Sequence, residues 1–422
     1  MAFGLEGMHY KAISIWLLAL LAILLGVYGT RSLVEKDVLG RFLNIGLNPI
    51  LSALVPAAIA AAGAIASYVL LSLAKEDSVE GLIQIIGLVF IVAVPWFFYA
   101  KPVEGVVVFV LVAVGFFSFL GRWHGSHERH RAERFIHMTS DMMLEERELA
   151  LPAFSFILVS SYLVFCYLGF LYDSGFVVFA GSKAGGYSVL SWNHSGVALS
   201  LAALVFAHST LYYMFMAGVS LFVYEWHHRR TPSFAGSLAG LGDRIDNILP
   251  FSLFAAFNQA VDTIGGVRDN TVNPFALPTA VIGGRSSSDA MQVSRRLLSK
   301  RVPEAVMDEV FRENGLGFLA RSGRLLLIFA SFVAYLASQS VVWGLLSLYF
   351  AALVFEVAVG TMNTVYTTIL FAWAVNDRVE EGGRRLPRGM SEVIARINQV
   401  KSRLMEAESR LRSVEGFVLP RV

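Results

Sequence analysis

Long apolar blocks separated by shorter polar ones dominate the pattern of this chain. A bilayer core of about 30 Å takes a helix of about 20 apolar residues. Blocks that approach or exceed that length run from Ala12 to Gly29, Pro49 to Leu73, Leu82 to Tyr99, Val103 to Leu120, Leu151 to Leu171, Gly196 to Tyr224, Leu325 to Ser338 and Val341 to Val375. Each predicts a membrane-spanning helix. A weaker pair lies among them. Ile248 to Ile264 is moderately apolar, and Phe275 to Gly284 (FALPTAVIGG) is about half a span long and holds Pro278. This pair reads equally as two thin crossings or as one re-entrant hairpin. The first block follows a single Lys11 and has no small-x-small cleavage pattern before TRSLVEKD, so it is expected to stay as a span.

Two segments are amphipathic instead. Between Ser286 and Asn314, Met291, Leu297, Leu298, Val302, Val306, Val310 and Phe311 supply apolar surface, while Arg295, Arg296, Lys300 and Arg301 supply charge. Ser286 and Asp289 have the spacing of a capping box. Such a helix suits either an anionic leaflet or the flank of the bundle. In the tail, Val393, Ile397, Val400, Leu404, Ala407, Leu411 and Val414 recur at alternating +4 and +3 steps, until Gly416 and Pro420 stop the helix. That is an a/d seam, which predicts a coiled coil. It is expected to pair with its own copy or with a partner's helix, making the protein a homo- or hetero-oligomer. The alternative is packing on the same subunit.

Together these elements predict an all-α fold, a polytopic transmembrane bundle of eight to ten crossings with amphipathic cytoplasmic helices and a C-terminal coiled-coil helix. Residues 1–120 form a four-span unit, and 121–150 a cytoplasmic juxtamembrane helix. Residues 151–375 form the membrane bundle, with the broken or re-entrant pair near 248–284 and a cytoplasmic amphipathic segment at 285–324. Residues 376–422 form the tail. Composition agrees: 16% of residues are charged and 56% hydrophobic, against about 25% charged in soluble domains. A soluble enzyme, a disordered chain and a collagen-like fibre are excluded. The single cysteine, Cys166, excludes a disulfide framework. Placement of positive charge sets the orientation. With a cytoplasmic N-terminus, 28 of the 34 Lys and Arg fall in one alternating set of loops, and the other set holds only Arg31, Lys36, Arg41, Lys101, Lys183 and Arg268. Both termini are therefore expected in the cytoplasm.

Four stretches carry a resemblance. HRAERFIHMTSDMMLEERELALPAFSFI, MFMAGVSLFVYEWHHRRTPSFAGSLAGLGDRIDNILPFSL, FALPTAVIGGRSSSDAMQVSRRLLSKRVPEAVMDEVFRENGLG and VAVGTMNTVYTTILFAWAVN occur in the order seen in an uncharacterised family of six-span prokaryotic integral membrane proteins, a domain of unknown function. The chain resembles that family over roughly 125–392. The shared features are helix-and-turn patterns: an amphipathic helix leading into an acidic-apolar-Pro step, a basic turn, a half-span and a final span. The resemblance implies a membrane bundle in a prokaryotic cell membrane and names no activity.

Ionisable and amide side chains inside apolar blocks are the candidate chemistry. Glu356 is the only carboxylate deep in a strongly apolar block, and Glu356, Gly360, Asn363 and Thr367 share one helix face by +4, +3, +4 spacing. His208 lies mid-block in VFAHSTLYY, and Asn258 and Asp262 lie in the weak block. Each is costly in lipid unless paired, so Glu356, Asn363, Thr367, His208, Asn258 and Asp262 form a candidate intramembrane polar path. Hydrogen bonding between helices is the structural alternative. His227, His228, Arg229 and Arg230 follow Tyr224 and Trp226 where a span meets the cytoplasm, a setting for lipid head-group contact. His127, His130 and His137 share a helix face, but Arg129, Arg131 and Arg134 are interleaved and oppose a cation, so no metal is expected. No phosphate loop, nucleophile elbow or zinc-protease helix is present, and neither a catalytic activity nor a cofactor is expected.

The functional expectation is a non-enzymatic membrane subunit that scaffolds or anchors an assembly through its basic cytoplasmic surfaces and the seam at Val393, Ile397, Val400, Leu404, Leu411 and Val414. The second expectation is a channel or transporter, including a secretion or DNA-transfer component, that uses the intramembrane polar residues. Membrane lipids are the partners common to both.

Overall fold

The structure is a computed structural model, and it describes residues 20–33, 49–72, 110, 114, 139, 141–143, 145–181, 187–228, 230–265, 273, 275–301, 341–375, 394, 395, 399, 402 and 406. The apolar blocks at 82–99 and 325–338, the His cluster, residues 302–324 and the seam residues Val393, Ile397, Val400, Leu404, Leu411 and Val414 lie outside the described residues. So do Arg229 and the side chain of Asp262.

The described chain is mostly helical. In order it forms α1 (Leu20–Leu33), α2 (Pro49–Ser72), a 3-10 turn (Arg147–Leu149) leading into α3 (Ala150–Asp173), strands β1 (Val177–Gly181) and β2 (Tyr187–Trp192), and α4 (His194–His227). Then follow α5 (Phe234–Asp243), α6 (Ile245–Gly265), α7 (Ala276–Val281), α8 (Ser287–Arg301) and α9 (Val341–Val375). Among the described residues three helices are long and apolar enough to cross a membrane: Arg147–Asp173, His194–His227 and, within α9, Ala352–Val375.

One short strand pair stands beside the helices. The connection between α3 and α4 is an antiparallel hairpin, with Val177 opposite Trp192 and Gly181 opposite Tyr187 and an irregularity between Val178 and Phe179. VVFAG and YSVLSW are rich in β-branched and aromatic residues and are flanked by glycines, which favours a pleated pair over helix.

Helices α3, α4 and α9 build the centre, and their ends are grouped. At one end Met142, Leu149, Phe222, Trp226, Phe371 and Ala374 share a buried cluster. The N-terminus of α3 and the C-termini of α4 and α9 therefore lie together. At the other end the Ser32 hydroxyl donates to Asp173 Oδ1 at 2.7 Å, which ties α1 to the end of α3. Helix α1 approaches α3 through glycines. A methyl group on Gly29 would strike the Phe165 carbonyl, and one on Gly169 would strike Gly29 itself. Apolar lipid offers little drive for helix association, so backbone contact through small residues supplies the packing. Helix α2 fits its alanine-rich face between α3 and α9, where Ala60 packs with Phe156, Ile157, Leu353 and Val357.

The weak pair has an asymmetric form. Helix α6 runs antiparallel to α4, with Ile248 beside Leu221 and the Phe251 ring 6.3 Å from Tyr213. At 21 residues it is about 31 Å long. Helix α7 has six residues, about 9 Å, which is too short to cross. Phe275, Ala276, Ala280 and Val281 are nevertheless fully buried. The Arg244 guanidinium, just before α6, donates to the carbonyls of Val281 and Ile282, and Asn247 Nδ2 donates to the Gly284 carbonyl at 3.3 Å. The start of α6 and the end of α7 thus meet at one level. Gly284 makes the exit turn at φ +60°, a conformation that strains residues bearing a Cβ.

Helix α8 starts as expected, with the Asp289 amide donating to Ser286 Oγ at 3.4 Å. It packs over the bundle. Ala290, Met291 and Ser294 are buried against α6 and α7, while Arg295 and Arg296 face outward. In the tail, Ile394 is half-buried against the cluster that holds Trp226 and Ala374. Ala395, Gln399, Ser402 and Glu406 recur at +4, +3, +4 on one exposed face, two positions on from the predicted seam.

Candidate functional site

The site forms where α3, α4 and α9 cross at mid-length. His208 is the fifteenth of the 34 residues of α4, and Glu356 the sixteenth of the 35 residues of α9. Both helices place these residues about 20 Å or more from either end. His208 Nε2 lies 3.0 Å from Glu356 Oε2. On the other side of the ring, His208 Nδ1 lies 3.3 Å from the Tyr349 hydroxyl, which in turn donates to the Ser160 carbonyl at 3.0 Å. Four groups on three helices thus form one chain, Glu356–His208–Tyr349–Ser160.

Aromatic rings wall the pair. Phe156 lies 5.1 Å from the His208 ring, Tyr349 5.9 Å from it, and Tyr212 stands edge-on to Phe156 at 5.7 Å. Tyr212 occupies the notch left by Gly360, where a methyl group would overlap the tyrosine hydroxyl. Glycine at 360 is therefore needed for the close approach of α4 and α9 one turn beyond Glu356.

Burial of the pair is uneven. The His208 side chain is 14% exposed and that of Glu356 is 34% exposed. Ala352, Glu356, Val359 and Asn363 follow one another on the least covered face of α9, with Ala352 and Asn363 exposed. A carboxyl group on a face open to hydrocarbon is costly, so this face demands water or further protein.

Thr367 and Asn258, two of the other expected polar residues, bond within their own helices. Thr367 is buried and its hydroxyl donates to the carbonyl of Asn363 in its own helix at 2.8 Å. Asn258 Nδ2 donates to the Phe254 carbonyl of its own helix at 3.0 Å. Asn363 shares the open face of α9 with Glu356, seven residues nearer the C-terminus of the helix. Of the six residues expected on one path, His208 and Glu356 meet directly, Asn363 shares a helix face with Glu356, and Asp262 lies outside the residues whose side chains are described. Thr367 and Asn258 are satisfied locally because a hydroxyl or amide can bond its own helix carbonyl four residues back.

The head-group expectation also changes. His227 is 1% exposed and Trp226 is buried beside it, so both face the protein interior. A 34-residue α4 overruns the bilayer core by about 20 Å, and its last turn is covered by the 142–149 segment and by α9. His228 is half-buried, with its ring 4.2 Å from Tyr224 and Nδ1 bonded to the Tyr224 carbonyl. Arg230 alone of the described set is exposed.

Tyr349, Tyr212 and the Ser160 carbonyl were not anticipated from sequence. A signal existed for two of them: Tyr349 precedes Glu356 by seven residues and Tyr212 follows His208 by four, so each shares a face with its ionisable neighbour. Among the described residues no three His, Cys, Asp or Glu side chains converge as a metal set would. Comparison with family models, with curated proteins and with solved structures finds no match to this chain.

Proposed function

We propose that this chain is a multi-pass protein of a prokaryotic cell membrane that carries an ion or small solute across the bilayer, as a channel or transporter, past Glu356 on the open face of α9. The observation that carries this reading is the His208–Glu356 contact of 3.0 Å, with a third of the carboxyl side chain still uncovered. A pair serving only to hold helices together is best sealed on all sides. A pair that also meets a path must keep one side open.

Eight to ten crossings, with both termini cytoplasmic, complete the proposed topology. The uneven split of Lys and Arg supports it. So does the grouping of the N-terminus of α3 with the C-termini of α4 and α9. In a Cys166→Ser background, Ser195→Cys and Ser288→Cys are expected to react with an impermeant maleimide from opposite faces of sealed vesicles. Equal labelling from one face would remove this topology.

Solid-supported membrane recordings on reconstituted protein test the transport reading. Pulses of protons, alkali cations, ammonium, carboxylates and amino acids are expected to include at least one that evokes a current above empty liposomes. Flat traces from folded, correctly inserted protein across the whole series would remove it.

A second reading, a subunit that anchors an assembly, is supported by the tail. Its described residues Ala395, Gln399, Ser402 and Glu406 are all exposed on the face opposite the apolar seam, which is how a paired helix distributes its residues.

A further inference from the structure

The hydrogen-bond donors around His208 can be assigned by counting protons. The Tyr349 hydroxyl has one proton, and it is committed to the Ser160 carbonyl, which can only accept. For the 3.3 Å contact with His208 to be a hydrogen bond, Nδ1 must be the donor. Nδ1 therefore carries a hydrogen, and Nε2 faces Glu356 Oε2 at 3.0 Å. Two arrangements make that contact attractive. A neutral carboxylic acid donates O–H to the bare Nε2, or an imidazolium donates N–H to a carboxylate. A neutral imidazole facing a carboxylate would oppose two lone pairs and repel. In either favourable arrangement the pair holds exactly one proton between Nε2 and Oε2 and has no net charge, the state that the bilayer interior tolerates best.

We infer that His208 and Glu356 are a single proton-binding unit, with Tyr349 as its positioning residue and the proton as the ion that binds at mid-membrane. The inference deepens the transport reading and rests on it for the use made of the proton. Within the unit, transfer breaks the Oε2–H bond as the Nε2–H bond forms, and no atom leaves. Net release gives the proton to water. It leaves a carboxylate facing a bare ring nitrogen, so release must part the two side chains. The carboxylate then has one direction open to it, the uncovered face of α9 shared with Ala352 and Asn363. Proton loss is thereby coupled to separation of α4 from α9 at their crossing. Among the described residues the titratable groups packed around the unit are the hydroxyls of Tyr212 and Tyr349, and α2 and α3 add Ser160, Phe156 and aliphatic residues.

The test uses the full chain in phospholipid liposomes, with infrared difference spectra over a pH series for wild type, Glu356→Gln, His208→Gln and Tyr349→Phe. The carboxyl band lost in E356Q and the imidazole bands lost in H208Q are expected to move in the same pH step. Replacing either partner should displace the step of the other, as for any coupled pair. Y349F should change the imidazole tautomer marker without removing the carboxyl step. If H208Q does not insert, the imidazole step in E356Q reads the coupling alone. Partners that titrate separately and ignore each other's replacement overturn the inference. A paired step without solute-evoked or proton-evoked current keeps the proton unit and removes the transport reading. Current without a paired step does the reverse.

Discussion

Glu356→Gln is expected to leave the protein inserted and folded while reducing its transport current to the level of empty liposomes. Glutamine keeps the volume of the carboxyl side chain. Its amide can still donate to His208 Nε2, so the link between α4 and α9 survives. What it cannot do is bind or release a proton, or present a charge to a passing cation. The alternative role makes the opposite forecast. Interhelical hydrogen bonds in membrane proteins average about 0.6 kcal/mol, so a purely structural tie should make the substitution almost silent in both stability and current. Removing the other partner separates the two roles further. His208→Ala empties the space between Phe156 and Tyr349 and leaves the carboxyl group unpaired. The cavity and the lost partner together should cost about 2–4 kcal/mol, read as reduced resistance to unfolding in detergent. A folded E356Q protein that keeps full current would return the pair to a structural role.

Deleting residues 390–422 is expected to leave insertion intact and to lower the associated mass, seen by light scattering as a fall to one subunit with its detergent. Isolated helices of this length are marginal in water, so a free tail would not hold its seam exposed. The contact of Ile394 with the cluster around Trp226 and Ala374 means that the deletion also uncovers part of the bundle. A half-buried isoleucine contributes about 1 kcal/mol there, which is too little to unfold three long helices. Loss of the tail's partner therefore remains distinguishable from loss of the fold. If the truncated protein keeps the same associated mass, the anchoring reading loses its main support, and the tail is a flap on its own subunit.

The long apolar helices were legible in the sequence because a span-length run of apolar residues marks its own extent without reference to its neighbours. The bounds expected for the last long block, Val341 to Val375, coincide with α9, and the block at 151–171 lies inside α3. Local rules also held where a side chain serves its own backbone, as at Ser286, which caps α8. The β-hairpin was within reach of the alternation in YSVLSW but was obscured by the surrounding helical pattern. Residue faces on a single helix were likewise readable, so Glu356 and Asn363 were placed together on α9.

Partners on different helices were not readable. Periodicity specifies which residues share a face and leaves open what that face meets. Only the crossing of α4 with α9 brings His208 to Glu356 across 148 positions of sequence, and only the approach of α3 supplies the Ser160 carbonyl that determines the histidine's protonated nitrogen. The same limit explains His227. Its position beside two arginines indicates a membrane surface, but the segment at 142–149 and the end of α9 fold over it and exclude water and lipid. Burial is a property of several elements at once. The sequence by itself determined where the described long apolar helices run and that three of them are long and apolar enough to cross a membrane. Tertiary packing decided which of its polar residues face one another, because that depends on helix crossings that no single stretch of sequence encodes.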